Sequence, residues 1–289
     1  MINLLEVLRL HHWIKNTLNF LPFIESQLPL SPVIIENLFF GFLAFGLLAS
    51  STYILNDIID LKNDKKHITK KYRPIALGKI STNTAFLIIF LLLTFIALIS
   101  HKFSDNNFLV YLIIYLFLSL SYSLFLKKIV LLDCFILSLL YTLRIFAGGE
   151  LVDIFPSFWL TTFSIFIFLS LAFLKRYSEI SLIKNNQTAL GRNYYGSDKS
   201  LIKTLGINSS YISTLVLVLY LNSETVFKLY RSPEWIWPGV VLYLFWINWI
   251  WLKAHRNQMN QDPIVFAIKD KVSIVIFLLA FVFYLLSSI

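Results

Sequence analysis

Residues 56 to 73 carry the densest chemistry in the chain: Asn-Asp-Ile-Ile-Asp-Leu-Lys-Asn-Asp-Lys-Lys-His-Ile-Thr-Lys-Lys-Tyr-Arg. Asp57, Asp60 and Asp64 stand at i, i+3 and i+7, a spacing that places three carboxylates on one helical face. Carboxylates this close repel and raise one another's pKa. A divalent cation relieves that cost. Mg²⁺, with Mn²⁺ as its substitute, commonly takes one or two carboxylates together with substrate phosphates. Lys62, Lys65, Lys66, Lys70, Lys71 and Arg73 interleave with the acids or follow them. Metal-binding carboxylates beside cations suit a diphosphate. The plainer reading of the same stretch is a solvated, charged loop between two membrane spans.

The elements that position these groups are membrane helices. Of the 289 residues, 57% are hydrophobic and only 14% charged, with a mean hydropathy of +0.73. The apolar runs are long enough to span a bilayer, so the expected fold is an all-α polytopic membrane protein, one integral domain over 1–289. Nine transmembrane helices are expected around a central cavity that opens to the cytoplasmic side, at about 14–30, 33–56, 83–100, 107–126, 129–147, 157–174, 206–222, 236–253 and 271–288. Pro22 interrupts the first; Gly41 and Gly46 are close-packing points in the second. Most of the 25 Lys and Arg residues fall in the segments placed inside. Lys102, Lys228 and Arg231 fall outside, which orients the N-terminus to the cytoplasm and the C-terminus outward. The ends of spans two and six then share the cytoplasmic side, and one site is expected from both. The net charge of +9 is that of loops facing anionic lipid, with no nucleic acid implied. The single Cys134 excludes a disulfide framework and a cysteine metal site. Residues 1–12 show no cleavable leader pattern. Abundant Ile, Asn, Lys and Phe point to an AT-rich bacterial genome, hence to a cytoplasmic (inner) membrane.

The pattern N-D-x-x-D-x-x-x-D resembles the first aspartate-rich motif of the UbiA-type intramembrane prenyltransferase superfamily. Members that use prenyl diphosphates typically carry a second motif, D-x-x-x-D, near the end of span six. Here that place reads Lys175-Arg176-Tyr177-Ser178-Glu179, with only the last carboxylate kept. Metal capacity is lost and anion capacity gained, because Arg binds phosphate as a bidentate fork and Lys as a point charge. The pattern is similar to one branch, the decaprenyl-phosphate phosphoribosyltransferases. The likeness includes His12 to Asn16, Asn56 to Asp64, Thr69 to Ala76, Arg144 to Gly149, Lys175 to Glu179, Asp262 to Ile264 and Lys269 to Asp270-Lys271.

The resemblance implies a phosphoribosyl diphosphate donor, a polyprenyl phosphate acceptor and diphosphate as leaving group, with a product that feeds cell-envelope sugars in relatives. Asn56, Asp57, Asp60 and Asp64 would hold Mg²⁺–diphosphate, with Asp57, Asp60 and Asp64 as metal ligands. Lys70, Arg73, Lys175 and Arg176 would meet phosphates without metal. Lys15, beside Asn16, would place the acceptor phosphate; Glu179 would orient Lys175 or contact ribose. Tyr72, Tyr122 and Tyr177 line the pocket or belong to the interfacial aromatic belt. Catalysis would be electrostatic, since a lipid phosphate is already ionised and needs no strong base. Arg144, deep in span five, is expected to be structurally paired, with Glu150, Asp153 or a helix-end carbonyl as partners. Asp133 is expected to neutralise Lys127 or Lys128 or to touch the site, and His67 to be solvated. Two other readings stay open. One is prenyl transfer to an aromatic or other acceptor, which Lys175 opposes. The other is a transporter, which would put its charges near the midplane. Homo-oligomerisation is left open.

Overall fold

The structure, a computed structural model, describes residues 2–66, 70–101, 107–184, 186–189, 191–259 and 262–288, with the side chains of 2–4 set aside. His67, Thr69 and Lys102 lie outside the described residues. Regular structure among the described residues is helical, apart from one antiparallel bridge between Thr188 and Tyr195. The chain packs as two compact units. One comprises Met1–Ile136, Leu143–Pro156 and Leu190–Asn193; the other comprises Leu137–Thr142, Ser157–Ala189 and Tyr194–Ile289.

The first unit opens with α1 (Ile2–Leu8). Arg9 then takes a left-handed backbone, φ 51 and ψ 47, and turns the chain into a 3₁₀ helix, Leu10–Phe20. Pro22 accounts for the tight last turn of this segment. It has no N–H to give the Leu18 carbonyl, which instead accepts from Leu21 in the tighter pattern. The six-residue α2 (Leu21–Ser26) begins with that proline in its first turn. α3 (Pro32–Ile59) starts at Ser31, whose Oγ accepts from the Ile34 N–H at 3.2 Å. Gly46 of α3 lets the Trp13 indole lie where a Cβ would be 2.7 Å away, and Gly41 does the same for Leu151. Both expected close-packing points are therefore real. The Trp13 Nε1–H donates to Ser50 Oγ (3.0 Å), which donates to the Leu8 carbonyl (2.7 Å). α4 (Leu61–Asp64) follows directly. Ile75 then returns to the core with Val7, Ile54 and Ala85, the last from α5 (Thr82–Ser100). α6 (Phe108–Leu124) and the two ends of α7 (Leu132–Leu151) complete this unit. Phe86, Phe90, Leu91 and Leu98 of α5 are exposed, as a lipid-facing surface would be.

The second unit holds α8 (Phe158–Ile180), α9 (Lys199–Leu221), α10 (Glu224–Leu229), α11 (Ile236–His255), α12 (Pro263–Ala267) and α13 (Lys271–Ser288). Small residues and hydroxyls join these helices, as they do where lipid removes the hydrophobic drive for association. Gly206 admits Trp251. The Trp251 and Trp246 indoles donate to Ser170 (3.3 Å) and Ser273 (3.1 Å). Asp270 accepts from the Ser273 N–H, the Ser273 hydroxyl and Trp249 Nε1 at 2.8–2.9 Å. Burial works to raise its pKa, but these bonds and the Lys253 charge outweigh it and hold the carboxyl below its ordinary value.

Among the described residues seven helices are long and apolar enough to cross a membrane, and α6 is a shorter apolar helix. Eight of the nine expected spans thus correspond to helices. The first, 14–30, does not: it divides into the 3₁₀ helix and α2 beside Pro22.

Gly148 offers a test of this packing. A Cβ there would stand 2.1 Å from the main-chain oxygen of Asn19, an atom that cannot rotate away. Gly148→Ala should cost about 3 kcal/mol, the upper end of overpacking penalties, in thermal unfolding of nanodisc-embedded protein. Gly239→Ala, with nothing within 4 Å, should be neutral or stabilising by up to about 1 kcal/mol through helix propensity.

Candidate functional site

The end of α3 delivers Asp57, and the helix stops three residues later. Asp60 has φ −86 and ψ 4, and its carbonyl accepts from Asn63 and Asp64 to start α4. The three aspartates therefore do not share one uninterrupted helical face. Asp57 and Asp64 are buried, each 3% exposed, whereas Asp60 turns aside. One Arg73 nitrogen reaches Asp57 Oδ1 at 2.9 Å and Asp64 Oδ2 at 2.6 Å. Arg9 grips both oxygens of Asp57, at 2.5 and 2.7 Å. Arg73 is held over the acids because its neighbour but one, Ile75, is anchored in the core.

Asp60 has a separate partner. Lys127, on a one-turn 3₁₀ helix, donates to both its oxygens at 2.6 and 2.7 Å and to Asn56 Oδ1 at 3.3 Å. Arg192 donates to the Tyr122 hydroxyl (3.0 Å) and the Lys127 carbonyl (3.4 Å) and pairs with Asp133 (3.4 Å). Arg192, in place of Lys127 or Lys128, is thus the cation that Asp133 meets here. Lys70 is half-buried and its charge reaches Asp64. Lys62, Lys65, Lys66 and Lys71 are exposed, the bland behaviour of a charge run. Tyr72 is 65% exposed with the Lys71 ammonium 5.1 Å above its ring. Lys15 and Asn16 are buried on the 3₁₀ helix. Arg144 donates to Asn16 Oδ1 (3.1 Å) and to the Tyr115 hydroxyl (2.7 Å), neither of them among its expected partners.

The second unit carries its own charged group at the end of α8. Lys175 pairs with Asp262 at 3.2 Å, and Asp262 also caps α12. Arg176 is fully buried, pairs with Glu179 and lies over the Tyr194 ring at 5.6 Å. The buried Tyr177 hydroxyl meets His255 Nδ1 at 3.1 Å, and Lys199 lies 5.4 Å from its ring. Lys175, with 31% of its side chain exposed, is open to a ligand where Arg176 is not.

Chemically, the first unit presents converging carboxylates neutralised by guanidinium and ammonium groups. Among the described residues no three His, Cys, Asp or Glu side chains gather in a metal-holding group. Asp57 and Asp64 nevertheless point at one shared cationic atom, which suits a divalent ion that takes two carboxylates and completes its shell with phosphate oxygens. Sequence reasoning misses Arg9, Lys127 and Arg192 as partners of the acids. Arg9 and Lys127 are legible only as basic residues at span ends. For Arg192, Gly191 at φ +75 is the sole local signal of a turn.

Burial raises the Asp64 pKa above its ordinary 3.8; Arg73 and Lys70 oppose the shift, and the Asp57 charge adds to it. A raised carboxyl adds stability below its unfolded pKa and loses it as pH climbs through the folded value. Ionised Asp64 therefore costs stability at neutral pH. Asp64→Asn should raise the Tm in EDTA at pH 7 and lose that gain below about pH 4. Arg73→Gln should cost about 3 kcal/mol, the low end for a broken buried pair, because it leaves two acids facing each other. Adding Asp64→Asn to Arg73→Gln should recover most of the loss.

The UbiA prenyltransferase family profile matches residues 23–275. The chain is 38% identical to the uncharacterized protein y4nM of Sinorhizobium fredii over 93% of its length, and spans about half (52%) of that protein. It is 30% identical to nodulation protein NoeC of Azorhizobium caulinodans, covering 93% of this chain and 88% of that one. It is 26% identical to the decaprenyl-phosphate phosphoribosyltransferase of Mycolicibacterium smegmatis, covering 95% and 89%. Its fold is that of a UbiA homolog from Archaeoglobus fulgidus solved with GPP and Mg²⁺, with a TM-score of 0.70 over 98% of this chain and 99% of that one at 13% identity. With a family match over most of its length, a relative at 30% identity aligned nearly end to end, and the same helical fold, the chain belongs to the UbiA prenyltransferase family.

Proposed function

We propose that this chain transfers a 5-phosphoribosyl group from phosphoribosyl diphosphate to a polyprenyl phosphate, releasing diphosphate. The observation that carries this reading is the end of α8. There Lys175 and Arg176 stand where a metal-binding carboxylate pair is expected of prenyl diphosphate users, and each cation is already steadied by an acid, Asp262 or Glu179. The likeness to the mycobacterial phosphoribosyltransferase supports the same choice.

Asp57 and Asp64 would hold Mg²⁺, or Mn²⁺ in its place, with Asp60 and Asn56 beside them. The metal would stabilise charge on the leaving diphosphate. Arg9 and Arg73 neutralise the acids and would offer donors to phosphate oxygens. In the first unit Lys70 and Lys127 add positive charge for the phosphates; in the second, Lys175 offers a cation at the end of α8, which Arg176 shapes from its buried position. Lys15 would place the acceptor phosphate. The ionised lipid phosphate attacks the anomeric carbon as the bond to diphosphate breaks; no side chain need remove a proton. Fixed cations aimed at developing charge account for the rate, and each such donor is worth roughly 10²–10³-fold. The reaction would run at the cytoplasmic face of a bacterial inner membrane, a reading supported by the distribution of Lys and Arg.

A second reading, prenyl transfer from an isoprenoid diphosphate, is favoured by the family match itself. One assay separates the two. Protein in nanodiscs with Mg²⁺ and polyprenyl phosphate is given labelled phosphoribosyl diphosphate, or a labelled prenyl diphosphate with aromatic acceptors. Label from the ribosyl donor should enter the lipid phase. The rate should fall at least about 100-fold in Asp57→Asn and be abolished by EDTA. Lys175→Asp should depress ribosyl transfer without creating prenyl transfer. Prenyl transfer by the unaltered protein, with no ribosyl transfer, would overturn the proposal.

A further inference from the structure

The 3₁₀ geometry has a chemical consequence in the first unit. With three residues per turn, side chains at i and i+3 eclipse, so Asn16 and Asn19 stand on the same face of Leu10–Phe20. Both are completely buried. Among the described residues, Asn16 Nδ2 and both polar atoms of Asn19 have no hydrogen-bond partner. Two open amides are costly in an apolar span and native interiors seldom keep them without a purpose.

Their surroundings are polar and positively charged. Asn16 Oδ1 is taken by Arg144 Nε, which fixes the amide flip and leaves Nδ2 as the outward donor. The Arg144 guanidinium lies 4.6 Å from the Tyr115 ring centre and 5.7 Å from that of Phe45. Lys15 and Tyr53 are within electrostatic reach of the Tyr115 hydroxyl. Tyr53 also carries the Arg9 guanidinium 5.5 Å from its ring centre, and Arg9 holds Asp57. The amide face is thereby linked to Asp57 within the same unit through Arg144, Tyr115, Tyr53 and Arg9. Gly148 abuts the Asn19 main chain, so α7 comes close to the 3₁₀ helix without a side chain between and fixes the position of Asn19.

We infer that the Asn16–Asn19 face, backed by Arg144, is a second polar subsite, and that it takes the hydroxyl-bearing phosphomonoester end of the donor. Amide N–H groups and a guanidinium suit an oxyanion. Asn19, with one acceptor and one donor group open, suits a sugar hydroxyl, which gives one hydrogen bond and receives another. The assignment to a sugar phosphate rests on the proposed phosphoribosyl reaction; the presence of a subsite does not. A buried water fills such places in many proteins, and a lipid phosphate shares the oxyanion chemistry, so the test separates all three.

Full-length protein in nanodiscs is titrated calorimetrically with three probes: ribose 5-phosphate, geranyl phosphate and Mg²⁺–pyrophosphate. In Asn19→Leu, ribose 5-phosphate should bind at least about tenfold more weakly, the loss expected for hydrogen bonds to a charged ligand. Mg²⁺–pyrophosphate binding should be unchanged and the Tm should not fall, because a buried open amide has been replaced by an apolar side chain of similar size. Arg144→Lys, which keeps the charge and loses the fork, should weaken ribose 5-phosphate in the same way. Unchanged ribose 5-phosphate affinity in Asn19→Leu, or none measurable in the unaltered protein, overturns the inference and leaves the amides to water. A loss confined to geranyl phosphate overturns it in favour of the lipid. Failure of Mg²⁺–pyrophosphate to bind the unaltered protein would count against the proposed reaction, while the Asn19 dependence of ribose 5-phosphate would still decide the subsite.

Discussion

Two buried carboxylates of like charge can stand together only if something positive lies between them, and in this chain it is one nitrogen of Arg73. The bridge from Asp57 to Asp64 joins the end of α3 to α4 across the break at Asp60. It also sets the path of the loop that follows, since Arg73 reaches back while Ile75 enters the core. Arg9 adds a second guanidinium to Asp57 and ties the N-terminal segment to the same point. Removal of either arginine leaves uncompensated negative charge in a place with little water, which is why the two guanidiniums and the acids are held as a unit.

The rest of the first unit is shaped by how polar groups survive inside an apolar span. Ser50 serves Trp13 and Leu8 at once, and Asn37 donates to the Leu151 carbonyl at 3.2 Å. The 3₁₀ segment ends next to a proline that removes one backbone donor, and its tighter winding lines up side chains that an α-helix would fan out. Chemistry and backbone are coupled here: the winding of this segment is what aligns the amides.

Much of this is legible in the order of the amino acids alone. Hydropathy locates eight of the nine expected helices, because long apolar runs in lipid have few alternatives to a helix. The aspartate spacing locates the charged group, and the lysine-for-aspartate change at 175 locates the second. Partnership is what stays hidden. Nothing local says that Arg9 crosses to Asp57, that Lys127 reaches Asp60 or that Arg192 reaches Asp133, because such pairs are made by tertiary packing. Lys127 and Lys128 look alike as a basic pair, yet one is buried and the other exposed. The failure at 14–30 falls where the 3₁₀ helix gives way to α2 next to Pro22, and hydropathy does not tell a 3₁₀ helix from an α-helix.

α3 is 28 residues long, about 42 Å at 1.5 Å per residue, against about 30 Å of hydrocarbon. Roughly eight of its residues must project beyond the lipid tails unless the helix tilts steeply. A helix that overshoots at the Asp57 end works as a mast, lifting the acids towards the headgroup layer, where lipid phosphates and soluble anions both have access. The thickness of the surrounding bilayer then sets how far that mast stands proud. Protein groups, Arg9 and Arg73 among them, keep Asp57 and Asp64 from water, so lipid composition would adjust the depth of the whole charged cluster and not the exposure of its acids.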